Sequence, residues 1–254
     1  MASVKIFPNF DRLAAAAAEH FVEVASDGIA ASGRFSVALS GGSTPRPVYS
    51  LLASEGFAKR LEWAKVHVFW GDERCVPPDD PQSNYRMARE ALLDAVPLPP
   101  ENIHRIRGED EPESAAAACE RELRSFFGTA PDGITPAAGF DLVFLGMGDD
   151  GHTASLFPGS SAVRENVRWV LAQYVEAASM WRITLTPSFI NAARNITFIV
   201  SGSDKAPRLR EVLEGPEQPE RLPAQAIKPK QGRLVWLVDE AAASAVTPQP
   251  KERQ

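Results

Sequence analysis

The sequence predicts an α/β fold, a mostly parallel sheet covered by helices on both faces. Two observations carry this reading. Short apolar runs of strand character alternate with longer segments whose apolar residues recur at helical spacing. Several of those runs open directly into turns rich in glycine and serine, with a helix beyond. The chain has 254 residues, 44% of them hydrophobic, enough to bury a substantial core. A Pro/Gly-rich stretch at 128–139 is too short to mark a domain boundary. The expectation is one α/β domain over 1–246 and a polar tail over 247–254.

The elements follow in order. Val4–Phe7 reads as a first strand. From Asp11 to Ile29, the residues Leu13, Ala17, Phe21, Val24 and Gly28 keep helical spacing, with Asn9 or Asp11 placed to cap the start. Phe35–Leu39 is a strand, Ser40–Thr44 the turn after it, and Pro45 opens a helix through Leu52. Val66–Trp70 is the next strand, ending in Gly71-Asp72-Glu73-Arg74. Three prolines between Val76 and Asn84 predict a loop. Tyr85–Leu93 and Pro112–Phe127 read as helices. Leu142–Leu145 is a short buried strand, running into the glycine turn 146–152. Trp169–Val175, Trp181–Thr184, Ile196–Val200 and Leu234–Val238 read as strands. Thr186-Pro187 looks like a helix start, and a further helix runs from Lys205 through Leu213.

Composition narrows the function classes. Lys and Arg number 27 against 33 Asp and Glu, a net charge of −6. That argues against nucleic acid or an anionic membrane as partner, since both need a basic surface. No apolar stretch approaches the roughly 18 residues of a membrane span. The first residues hold no apolar signal core. Two cysteines, Cys75 and Cys119, lack metal-type spacing, which fits a reduced, cytoplasmic setting.

Four turns carry candidate chemistry. Ser40-Gly41-Gly42-Ser43-Thr44 offers backbone N–H groups and hydroxyls at a helix start, an anion-binding pattern, with Arg46 placed to clamp a phosphate. An ordinary strand-to-helix loop is the competing reading. Gly71–Arg74, taken alone, reads as a solvated charged corner. Trp70 before it and the proline loop after it suggest partial cover, and burial would force those charges to pair or to bind something. The 146–152 turn ends on His152 with Asp149 and Asp150 beside it. A structural histidine is the bland reading, but imidazole titrates near neutrality and suits general-base work. In Ser201–Lys205 a lysine meets a helix start, and Arg182 sits in a predicted strand where a charge needs solvent or a partner.

Other readings fit less well. Gly146-x-Gly148-x-x-Gly151 matches the dinucleotide fingerprint, but Pro158 and Gly159 cut short the long helix that the fingerprint opens. Asp149 and Asp150 would also oppose a pyrophosphate. Asp72, Glu73, Asp149, Asp150 and His152 could converge on a metal, although no spacing shows a ligand set. A nucleophilic Cys75 with His152 as base needs a tertiary contact that the sequence cannot show.

These turns, in this order, resemble the 6-phosphogluconolactonase family. The resemblance runs from about residue 4 to residue 240. It rests on Ser40–Arg46, on Gly71–Arg74 with Ser83-Asn84-Tyr85, on Gly146–Gly159 ending in Leu-Phe-Pro-Gly, on Arg182-Ile183-Thr184, and on Ser201–Ala206. Related glucosamine-6-phosphate deaminases carry Tyr after the strand-end Asp-Glu, where this chain has Arg74. They also carry Ile-Ala-Phe-Asn-Glu-Pro after the Gly-His, where it has Thr153–Pro158. The resemblance implies a doubly wound α/β domain of the sugar-phosphate isomerase and coenzyme A transferase type. It implies hydrolysis of 6-phospho-D-glucono-1,5-lactone in the oxidative pentose phosphate pathway.

Under that resemblance His152 is the base for the attacking water and Asp150 supports it. Arg74 orients or stabilises the reacting lactone. Thr44, Arg46 and Lys205 hold the phosphate with Arg182 nearby, and Gly41, Gly42 and Ser43 lie against the ligand. Such a hydrolysis needs water activation and oxyanion stabilisation, but no cofactor and no metal. A deaminase or isomerase on the same scaffold and a non-catalytic sugar-phosphate sensor are the competing functions. Protein partners are not legible.

Overall fold

A computed structural model describes residues 2–247. The tail expected from 247 lies outside the described residues beyond Thr247. In chain order the strands and helices are β1 (Ser3–Phe7), α1 (Phe10–Ser32), β2 (Phe35–Leu39), α2 (Pro45–Ala53), α3 (Glu55–Ala58), β3 (Val66–Trp70) and β4 (Asp72–Arg74). Then come α4 (Asn84–Ala91), α5 (Pro112–Phe127), β5 (Leu142–Leu145), β6 (Val170–Val175), β7 (Met180–Leu185) and α6 (Pro187–Ile190). β8 (Asn195–Val200), α7 (Ala206–Glu214), β9 (Arg233–Asp239) and α8 (Glu240–Ala243) complete the series.

Six strands form one parallel sheet in the order β1-β9-β8-β5-β2-β3. Helices cover both faces. Phe21 of α1 packs edge-on against Phe35 of β2 at 5.2 Å on one face. On the other, Phe127 of α5 meets Phe140 at 4.8 Å and Phe69 of β3 at 6.0 Å. The predicted periodicity of α1 is the reason: Leu13, Ala17, Phe21, Val24 and Gly28 are all buried. Asn9 caps α1 by accepting from Arg12 N at 3.0 Å, and Gly33 ends it in the left-handed conformation. Among the described residues no helix is long and apolar enough to cross a membrane.

A second sheet corrects the reading of Gly71–Arg74 as a turn. Gly71 N donates to Leu39 O, and Gly71 O accepts from Leu185 N, both at 2.9 Å. The chain therefore leaves the parallel sheet at Gly71 and pairs antiparallel with β7, giving the order β4-β7-β6. Asp72 and Glu73 are buried, so this is no solvated corner. The sequence hid the strand because three charged residues do not read as one.

Strand order also fixes where a ligand can enter. From β2 the chain crosses to β3 on one side, whereas β5, β8 and β9 lie on the other. The switch falls between β2 and β5, and the crevice outside the carboxyl ends of such strands is where open α/β sheets bind ligands.

Candidate active site

Two loops flank that switch point. The loop after β2, Ser40–Thr44, is pinned by the buried Tyr49, whose hydroxyl donates to Ser40 O at 2.8 Å and accepts from Ser40 N at 3.0 Å. Burial raises the Tyr49 phenol well above its ordinary value, so it stays a neutral donor. Gly42 sits at φ 96°, a conformation that side chains rarely adopt. Gly41 is needed for space: a Cβ there would lie 1.7 Å from Asn84 Oδ1. Beyond them Ser43 and Thr44 stand at the N-terminus of α2. Thr44 occupies the capping position without making a side-chain cap. Pro45 and Pro47 carry no N–H, so the start of this nine-residue helix offers an anion the Arg46 N–H and the Thr44 hydroxyl.

The loop after β5 carries the histidine. Gly148 N donates to His152 O at 2.9 Å and Gly151 turns the chain at φ 87°. Asp150 Oδ1 accepts from both His152 N at 2.9 Å and His152 Nδ1 at 2.6 Å. Partial burial pulls the Asp150 carboxyl upward, but the His152 hydrogen bonds outweigh it and hold it at about 2. Asp150 is therefore a carboxylate at neutral pH, an acceptor that in a neutral imidazole sets the proton on Nδ1 and leaves Nε2 to the cleft. The ring is stacked on Phe157 at 4.3 Å. Just beyond, Ala154 adopts φ 47°, a left-handed conformation uncommon for alanine, in a turn closed by Leu156 N to Thr153 O.

The small antiparallel sheet supplies the cations. Arg74 on β4 is directly opposite Arg182 on β7. Like charges so placed repel. Both Nε atoms are buried without a hydrogen-bond partner. Burial lowers the Arg182 pKa from its ordinary value, Asp72 opposes that, and Arg74 adds to it. Arg74 Nη1 is held by Gln82 O at 2.6 Å. Asp72 ties the floor together: it accepts from Ser155 Oγ at 2.6 Å and from Asn84 Nδ2 at 3.2 Å, with Arg182 Nη1 at 4.0 Å. After β8, Lys205 contacts Asp149 and, at 3.5 Å, Asp204.

These groups converge on a cleft of about 240 Å³. The ligand-facing residues Gly41, Gly42, Ser43 and Thr44 line it, as do Arg74, His152, Arg182 and Lys205. Asp150 stands behind His152. Arg46 departs from the expectation: its guanidinium is exposed and lies 3.9 Å from Glu90, away from the cleft lining. One residue into a helix from Pro45, it is carried round the axis from the loop. Sequence reasoning missed Asn84 as a lining residue and left Asp72 without a role. The signal was a strand-end Asp-Glu followed by Ser83-Asn84, and its meaning depends on a fold-back that no local pattern reveals. Cys75 does not line the cleft, and burial, with Glu73 and Glu111 nearby, pushes its thiol up to about 11. A nucleophilic role for it has no thiolate to draw on at neutral pH.

The chain is similar to known proteins of one family. The family model described as glucosamine-6-phosphate isomerases/6-phosphogluconolactonase matches residues 8–236. A protein of Nostoc sp. named 6-phosphogluconolactonase is 43% identical over 96% of this chain and 98% of its own. One of Synechocystis sp. with the same name is 44% identical over 87% and 88%. The solved structure of 6-phosphogluconolactonase from Trypanosoma cruzi superposes with a TM-score of 0.86 at 30% identity, covering 98% of each chain.

Proposed function

The chain belongs to the glucosamine-6-phosphate isomerase/6-phosphogluconolactonase family, and from that premise we propose that its cleft hydrolyses 6-phospho-D-glucono-1,5-lactone to 6-phospho-D-gluconate. The observation that carries the proposal is the Asp150–His152 pair facing the same cleft as the opposed Arg74 and Arg182. One side can take a proton, and the other can receive an anion.

The phosphate enters at the N-terminus of α2, against Ser43, Thr44 and the N–H groups of Gly41 and Gly42, with Lys205 as counter-charge. Lys205 gives up its contact with the largely exposed Asp149, and a surface pair of that kind holds it weakly. The phosphate so anchored brings the lactone carbonyl between His152 and the arginines. His152 Nε2 takes a proton from a water whose oxygen bonds to the lactone carbonyl carbon. The carbonyl π electrons move to oxygen, and Arg74 meets that oxyanion. Asp150 stabilises the imidazolium. The intermediate then collapses: the bond from the carbonyl carbon to the ring oxygen breaks, and His152 returns its proton to the leaving ring oxygen. The acid formed ionises to the carboxylate, which Arg182 and Arg74 are placed to receive. The pentose phosphate pathway needs this step, and a cytoplasmic setting suits the free thiols Cys75 and Cys119.

The test is the rate of loss of freshly prepared lactone, after subtraction of its spontaneous opening. A protein-dependent rate that disappears in His152→Ala supports the reaction and the base together. No rate above background from folded protein refutes it.

A further inference from the structure

Glu73 lies between two residues of the cleft yet belongs to neither the binding nor the reacting set. On β4 side chains alternate, so Asp72 and Arg74 share one face and Glu73 points to the other. It is 3% exposed and does not line the cleft. Both of its oxygens are used twice. Oε1 accepts from Arg74 N at 2.8 Å and Asn84 N at 2.7 Å. Oε2 accepts from Ser83 Oγ at 3.1 Å and Tyr85 N at 2.8 Å. One carboxylate thus fastens the start of the 74–85 segment to its end, at the N-terminus of α4, where a negative charge is favoured. Burial pushes the carboxyl up to about 7, against the pull of three backbone donors.

The closed segment has one carbonyl turned back on the strand. Gln82 O, next to Ser83, accepts from Arg74 Nη1 at 2.6 Å. Among the described hydrogen bonds it is the one that fixes the Arg74 guanidinium, whose Nε has no partner. Gln82 is held in turn from within the segment, by Gln82 N to Asp80 Oδ1 at 2.8 Å and Ser83 N to Asp80 O at 2.9 Å.

We propose that Glu73 is a positioning residue for Arg74: it closes the 74–85 segment so that Gln82 O holds the guanidinium at the reacting end of the cleft. The inference rests on the reading that Arg74 meets the oxyanion. The four donors explain why the residue is glutamate. A glutamine would aim an amide N–H₂ at donors, and an aspartate is one methylene too short to span them.

The experiment is a double-mutant cycle on the full chain, measuring kcat and KM for the lactone after background subtraction, with melting temperature alongside. Glu73→Gln should lower kcat by about tenfold or more, as a small displacement of a reacting group does, and shift KM by less than about threefold. On an Arg74→Ala background the same change should alter kcat by less than about twofold. Ser83→Ala, which removes one of the four donors, should lower kcat about threefold in the wild type and not on Arg74→Ala. This variant keeps the test open if Glu73→Gln does not fold. An equal loss in both backgrounds would show that the bracket only stabilises the fold and would overturn the proposal. So would a loss confined to KM. If Arg74→Ala alone leaves kcat unchanged, the role of Arg74 itself fails, an outcome distinct from additivity.

Discussion

Gly148→Ala is the sharpest single perturbation of the proposed base. An added Cβ would stand 2.1 Å from His152 Nδ1, 2.2 Å from Cε1 and 2.8 Å from Asp150 Oδ1. Ordinary contact begins near 3.4 Å, so the imidazole must retreat by about 1 Å or more and the Asp150 carboxylate, also crowded, must shift with it, which takes the pair out of its present geometry. Gly148 is not among the positive-φ glycines, so alanine meets no backbone penalty and the cost is steric alone. His152 is partly exposed and its ring can swing toward solvent, so the fold should lose only about 1 kcal/mol. A misplacement of about 1 Å costs a reacting group on the order of 100-fold in rate. Initial rates of lactone loss, corrected for spontaneous opening, should therefore fall about 100-fold while binding of 6-phosphogluconate persists. A kcat within about threefold of wild type, from protein of unchanged melting temperature, would mean that the dyad geometry does not set the rate.

Asp150→Asn should lower kcat by about tenfold. The carboxyl is depressed from 3.8 to about 2, and half-exposure discounts that coupling to about 1 kcal/mol. A depressed carboxyl contributes stability that is complete above its unfolded value and lost only as pH falls toward 2. The melting-temperature gap between wild type and Asp150→Asn should therefore hold steady from pH 8 to about 5, and a gap that closes between pH 7 and 6 would contradict this. Lys205→Ala should raise KM by about tenfold with little change in kcat, whereas Arg46→Ala, facing Glu90, should leave KM within about twofold. Equal KM effects from the two would return Arg46 to the cleft. Arg182→Gln should raise KM without lowering the melting temperature of the ligand-free protein, because it relieves a cross-strand repulsion. A drop of many degrees with KM unchanged would make Arg182 structural.

Much of the fold was legible because its signals are local. The parallel strands are short apolar runs, and α1 announces itself by period, cap and terminal glycine. Of the site, the two glycine loops and His152 were legible for the same reason: loop chemistry follows each strand end in the sequence. What stayed hidden depends on contacts across distance. β4 could not be read because Asp72-Glu73-Arg74 has no strand character, and only pairing with Ile183 and its neighbours makes it one. Asn84 enters the cleft because Glu73 folds the proline loop back. Arg46 lies apart from the cleft lining because nearness in sequence to Thr44 does not survive the first turn of a helix.

The hidden part is also the part that costs stability. An isolated strand-end triplet of charges would sit in water, but here Asp72 and Glu73 are buried and the guanidiniums of Arg74 and Arg182 line a cleft. Two arginines face each other in register, two Nε donors go unsatisfied and Ala154 takes a left-handed turn. Each feature opposes folding. They share one location, the crevice outside the β2–β5 switch, and an anion there would relieve the repulsion between the arginines. Complementarity of that kind favours a state carrying more negative charge than a neutral lactone ring. Under the proposed reaction the tetrahedral oxyanion and the product carboxylate both fit that description, and the strain is then best relieved where the reaction passes over its barrier.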